Sequence, residues 1–225
     1  MYLLCACENF YIHILVNKFP VSPEEGVSVF PLNMTFNRGD SVTFNCSAQG
    51  GPGNTYQWQW NGTDLGNETA QALTVTQITV NSGGEYTCVV SNAAGSGSTS
   101  TWLNVSPEMV SSPTNVSARN GTVHMLVCEA EAFPEPQYEW LRICGTFSEN
   151  VDGNNSSTLV FNPVIFGDEG DYYCRATSNG VAVISDNATL TGLYRPLFCD
   201  TFKVCSISYK LYWQECRQDY YFLMV

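Results

Sequence analysis

Ten cysteines and two histidines are the side chains of this 225-residue chain with the richest potential chemistry. Thiolates and imidazoles can hold zinc, and paired thiols can close disulfides. The Cys-x-x-Cys spacing of structural zinc sites is absent, which weakens the metal reading. Catalysis finds no constellation either. His13 lies in an irregular N-terminal stretch. His124 stands four residues before Cys128, where alternation turns it inward as a packed core imidazole. Glu129, Glu131, Glu135 and Glu139 are close in sequence, but Pro134 and Pro136 interrupt them. They read as a solvated acidic rim rather than a calcium cage, which needs convergent oxygens. No glycine-rich loop stands between a strand and a helix to cradle a phosphate. The expectation is a non-enzymatic protein without cofactor, metal or small-molecule substrate.

Charge and composition narrow the classes further. With 21 acidic and nine basic residues the net charge is −12. That sign disfavours nucleic acid and anionic lipid. No stretch reaches the roughly 18 apolar residues of a membrane-spanning helix. The length suits one or two domains, and a 44% hydrophobic content suffices for their cores. All three lysines lie outside residues 26–191, and that middle carries 15 acids against four arginines. It also carries every Asn-x-Ser/Thr triplet: Asn33, Asn45, Asn61, Asn67, Asn104, Asn115, Asn120, Asn154, Asn155 and Asn187. Ten exceed what the Asn, Ser and Thr content alone would supply. The excess points to a region shaped for glycosylation outside the cell; the alternative is that these residues serve turns and strands. Residues 1–25 make a poor signal sequence, lacking a basic start and interrupted by Glu8 and Asn9. Residues 193–225 contain Cys199, Cys205 and Cys216 and show no lasting period. Both ends read as irregular extensions or as imperfectly defined coding sequence.

The elements that must position these side chains come in two copies. Cys46 and Cys128 are 82 residues apart, as are Trp58 and Trp140; Tyr86 and Tyr172 are 86 apart, as are Cys88 and Cys174. Each unit reads Cys, then Trp twelve residues later, then Tyr-x-Cys. Around these landmarks apolar and polar residues alternate, as in Val42-Thr43-Phe44-Asn45-Cys46. Such alternation makes half-buried strands. Gly50-Gly51-Pro52-Gly53 and Ser82-Gly83-Gly84 mark turns. Many short strands without a competing helical period imply antiparallel sandwiches.

The repeated Cys, Trp and Tyr-x-Cys resemble the immunoglobulin superfamily, in its intermediate-set or constant-like form. The resemblance implies an all-β chain of two tandem immunoglobulin-like antiparallel β-sandwiches, residues 26–106 and 107–192, with almost no linker at Ser106-Pro107. It implies inter-sheet disulfides Cys46–Cys88 and Cys128–Cys174, with Trp58 and Trp140 packed on them. Tyr86 and Tyr172 should return their hydroxyls to the backbone at a tyrosine corner. Ser82 stands where the second unit has Asp168, so the first corner is expected to be looser. Cys144 is left over, either as a free thiol or as the partner of a tail cysteine.

What the family implies about function is recognition. The expectation is an extracellular or cell-surface module that binds other surface or matrix proteins, homophilically or not; the alternative is a fragment of a structural matrix protein built of such repeats. Arg38-Gly39-Asp40 spells the tripeptide integrins recognise, but Gly39 and Asp40 also suit a turn entering a strand, and that role is expected to prevail. Glycans at Asn33, Asn45, Asn115 and Asn120 are expected to cover the sheet of family strands A, B, E and D. The opposite sheet, of strands G, F and C, would then carry the binding face. Alternation exposes Trp102, Val89, Gln57 and Gln59 there in the first unit, and Leu141, Tyr173 and Arg175 in the second.

Overall fold

The computed structural model describes residues 21–24, 26–49, 53–151 and 155–193. The chain divides into two compact units between Ser106 and Pro107.

In the first unit β-branched and aromatic residues at alternating positions build eight strands. They are β1 (Ser28–Phe30), β2 (Met34–Phe36), β3 (Val42–Ser47), β4 (Thr55–Trp60), β5 (Thr63–Asp64), β6 (Ala72–Val75), β7 (Gly84–Asn92) and β8 (Gly95–Ser111), the last running on into the second unit. One sheet orders β1-β3-β6. On β3, Val42, Phe44 and Cys46 are buried while Thr43, Asn45 and Ser47 are exposed. The facing sheet orders β8-β7-β4-β5, with β2 added parallel to β8. The chain thus changes sheets between β1 and β2. Phe30 pairs Asn45 in one sheet, and Met34 pairs Leu103 in the other. Pro31 sits at the crossing, where its missing N–H leaves no ladder bond unmade; its carbonyl accepts from the Thr101 hydroxyl at 3.0 Å. Phe44, Trp58, Ile78, Val90, Leu103 and Val105 are fully buried between the sheets. The Phe44 and Tyr86 rings lie 5.2 Å apart.

Residues before 26 pack on the first unit. Pro23 is fully buried, and the Asn92 amide donates to the Val21 carbonyl at 2.8 Å. A Cβ on Gly97 would lie 2.7 Å from the Pro23 carbonyl oxygen, so glycine lets the entering chain dock against β8. Alternation shows nothing of this, because the docking surface is backbone.

The second unit contains β9 (Val116–Arg119), β10 (His124–Val127), β11 (Glu129–Phe133), β12 (Gln137–Cys144), β13 (Phe147–Asn150), β14 (Thr158–Phe161), β15 (Gly170–Ser178), β16 (Val181–Ile184) and β17 (Ala188–Leu193). β10 pairs β14, β11 pairs β8, and the opposite sheet orders β13-β12-β15-β17-β9, with β16 also on β15. Again the strand after a proline, β9, joins the last strand in parallel. Leu126, Trp140, Leu159, Phe161, Tyr172 and Leu190 form the core. His124 is half-buried at the start of β10, one alternation step from buried Leu126.

Candidate functional site

The repeated landmarks meet at the centre of each sandwich. Cys46 is bonded to Cys88 and Cys128 to Cys174, with Cα atoms 6.4 and 6.5 Å apart. Trp58 Nε1 donates to the Ala70 carbonyl and Trp140 Nε1 to the Ser156 carbonyl, each at 3.0 Å. Both indoles are therefore buried without an unsatisfied donor. Cys144 is buried and has a partner; the tail cysteines lie outside the described residues.

Both tyrosine corners are closed. Tyr86 donates to the Ser82 carbonyl at 2.9 Å, and Tyr172 to the Asp168 carbonyl at 2.6 Å. The first corner uses the same pattern of contacts as the second. Ser82 Oγ accepts from the Thr79 N–H at 3.1 Å, where the Asp168 carboxylate accepts from the Ile165 N–H at 2.8 Å. A hydroxyl takes the carboxylate's place, and both contacts of the first corner are longer than those of the second, 2.9 against 2.6 Å and 3.1 against 2.8 Å, the direction expected. Burial pushes the Tyr86 phenol up, and pushes Tyr172 up to about 12, the latter opposed by the Arg142 charge and reinforced by Asp168 and Glu149. The Arg142 guanidinium lies 5.9 Å from the Tyr172 ring centroid and donates to the Glu169 carbonyl.

The integrin-like tripeptide is the turn between β2 and β3. Gly39 has φ +84°, and its N–H donates to the Ile78 carbonyl at 2.8 Å. The Asp40 carboxylate accepts from the Asn37 N–H at 2.9 Å. Gly121 donates to the Val164 carbonyl in the second unit in the same way. The turn is thus a shared structural device, and Asp40 is folded back into it.

Two asparagines have a structural role that alternation does not reveal. Asn33 Oδ1 accepts from the Trp102 N–H at 3.0 Å, and Asn115 Oδ1 from the Thr189 N–H at 2.8 Å. Each ties the strand after the proline to the last strand of its unit. Their separation of 82, equal to the repeat offset, was the available signal. These asparagines also correct the expected glycan placement. They stand at the β2–β8 and β9–β17 edges, within the sheet opposite β3 and β10, because the chain has already changed sheets at the proline. Asn45 is exposed on β3, and Asn61, Asn67, Asn120, Asn155 and Asn187 are exposed in turns and connections. Asn104 is buried, at 7% exposure. Asn154 lies outside the described residues.

The expected binding face is only partly assembled. Trp102 is exposed at 44%, but it pairs Glu85, whereas Val89 pairs Ser98. Four residues of strand, about 13 Å, separate the two, so Trp102 and half-buried Val89 are not one patch. Gln57 donates to the Trp58 and Leu65 carbonyls, and Gln59 to the Asp64 carboxylate. In the second unit Leu141 is buried rather than exposed, at 8%. Its strand is central, with Asn150 of β13 opposite on one side and Tyr173 of β15 on the other. Tyr173 is half-buried. Arg175 pairs with Glu139, which also accepts from Asn150. No group of three His, Cys, Asp or Glu is placed to hold a metal among the described residues.

Two sandwiches, each pinned by one inter-sheet disulfide, a buried tryptophan and a tyrosine corner, define an immunoglobulin-type chain. A model of the immunoglobulin domain family matches residues 26–92 and 106–178, and the chain belongs to that family. It is 27% identical over 209 residues to mouse neural cell adhesion molecule 1, covering 82% of this chain and 18% of that protein. It is 29% identical to mouse protein turtle homolog A, covering 82% and 16%, and 28% identical to human hemicentin-1, covering 84% and 4%. The chain therefore spans a small part of the length of these relatives. The four N-terminal immunoglobulin domains of Dscam1 isoform 1.9 share the fold at TM-score 0.56 and 19% identity, over 74% of this chain and 46% of that one.

Proposed function

We propose that this chain is an extracellular recognition module that binds protein partners, in cell adhesion or as part of a receptor ectodomain. The observation that carries the reading is the likeness to adhesion and matrix proteins along most of both sandwiches, a neural cell adhesion molecule among them. The acidic, sequon-rich surface supports an extracellular setting. The contact in the first unit is assigned to the β8-β7-β4 sheet around Trp102, since exposed tryptophan is among the residue types that dominate interface energies. In the second unit Tyr173 is the aromatic contributed by the equivalent sheet, and Arg175 serves its ion pair.

Binding to a panel of cell-surface and matrix proteins, the chain itself included, tests this. Trp102→Ala should weaken binding to any partner found by about tenfold or more, with an unchanged melting temperature. Binding by the variant equal to that of the parent would remove Trp102 from the site.

A further inference from the structure

The outer face of β10 and β14 is apolar where the duplication makes the first unit polar. The repeat offsets of 82 and 86 place Met125 on Thr43, Val127 on Asn45, Val123 on Ser41 and Val160 on Thr74. The registers agree, since Thr43 pairs Thr74 and Met125 pairs Val160. In the first unit that pair is a hydrogen bond of 2.9 Å between hydroxyls, and the neighbouring Asn45 is a sequon. In the second unit Val123, Met125, Val127 and Val160 are 55, 56, 47 and 50% exposed. No sequon lies on β10 or β14. The backbone pairing is the same, so the fold itself demands neither set. The core does not need the apolar set either, because Leu126, Leu159 and Phe161 face inward from the same two strands. Clustered exposed apolar side chains of this kind mark a contact site. A shallow groove bounded by Ser112, Thr114 and Val116 runs beside Met125 and Val127.

Charge selects the occupant. Beyond Cys128 the chain continues as β11, whose outward positions are exposed Glu129 and half-buried Glu131, and exposed Glu108 lies on β8, which pairs β11. The described residues contain no lysine and only Arg38, Arg119, Arg142 and Arg175. Arg142 is bonded to the Glu169 carbonyl and Arg175 to Glu139, Arg119 ends β9 in the opposite sheet, and Arg38 stands between β2 and β3 of the first unit. A second copy seated here would set carboxylates against carboxylates, and like charges across an interface oppose association. We propose that the β10–β14 face of the second unit docks a different protein, whose contact surface is an apolar patch flanked by lysine or arginine. This surface lies in the other unit from Trp102 and does not depend on that assignment.

Two synthetic heptapeptides, one alternating valine with lysine and one alternating valine with glutamate, are the probes. Each is titrated into the isotope-labelled full chain and followed by amide chemical shifts. The valine–lysine peptide should shift Met125, Val127 and Val160, and should bind more weakly as salt screens the charges. The valine–glutamate peptide should shift nothing. M125T/V160T installs the threonine pair that the first unit already carries; it should keep the melting temperature and lose binding at least about tenfold. W102A should bind the valine–lysine peptide as the parent does. Absent binding, equal binding of both peptides, shifts confined to other strands, or full binding by M125T/V160T would overturn the proposal. A dimer of the parent chain that M125T/V160T abolishes would also overturn it, giving the face to a second copy.

Discussion

Tyr172 carries a backbone contact and a titration in one hydroxyl. Its hydrogen bond to the Asp168 carbonyl is 2.6 Å, and burial pushes its pKa up to about 12. A pKa raised by folding means that the folded chain keeps the proton longer than the unfolded one. The resulting stability is complete below pH 10 and falls as the pH rises from 10 towards about 12. Tyr172→Phe should cost about 1 kcal/mol at neutral pH, because the Asp168 carbonyl loses its donor. It should also flatten the alkaline limb of the stability curve between pH 10 and 12. Denaturant melts across that range check both; a limb as steep in the variant as in the parent would assign the titration elsewhere. The tyrosine corner was legible because its residues are local in sequence, four apart. Either Ser82 or Asp168 can accept the N–H three residues earlier, the hydroxyl at the longer distance.

At the scale of elements, alternation decides which side of a strand a residue takes, but neighbouring strands decide whether that side is open. β3 follows the rule throughout. Leu141 breaks it: directly opposite stand Asn150 and Tyr173, whose side chains share that outer face. Asn104 breaks it differently. It lies on β8 between buried Leu103 and Val105, in a strand covered on one edge by β2. Glycan mapping of secreted protein should therefore find Asn104 unmodified and Asn45, Asn61 and Asn120 occupied, since a sugar at a 7% exposed position would have to part β2 from β8. A glycan recovered on Asn104 from folded protein would show that β2 does not close over that edge. The change of sheet after Pro31 and Pro113 was hidden for a related reason. A proline announces a break in a ladder, while the strand to be joined next lies some 70 residues away.

At the scale of the whole molecule, each unit has its own core and its own inter-sheet disulfide. The double variant Cys46→Ala/Cys88→Ala should lower the stability of the first unit by about 2–5 kcal/mol. In calorimetry the transition of the second unit should stay where it was. A unit 1 transition at the parent temperature would mean that the cross-link contributes nothing. The two units share a plan but differ in surface: Thr43 and Thr74 meet on one, Met125 and Val160 on the other.

The duplication, the all-β class, the disulfide partners implied by the family and the buried Trp58, Trp140, Tyr86 and Tyr172 follow from the order of residues alone. Those features are written in spacing and alternation, which are local or repeat at a fixed offset. That Asn33 and Asn115 lock the last strands, that Leu141 is covered, and that Trp102 and Val89 lie apart came from the folded arrangement. It also placed four apolar side chains of β10, β14 and the residue before them on one outer face. Each of these depends on strand register and on which sheet a strand joins, and pairing across a sandwich is set by contacts between residues far apart in the chain.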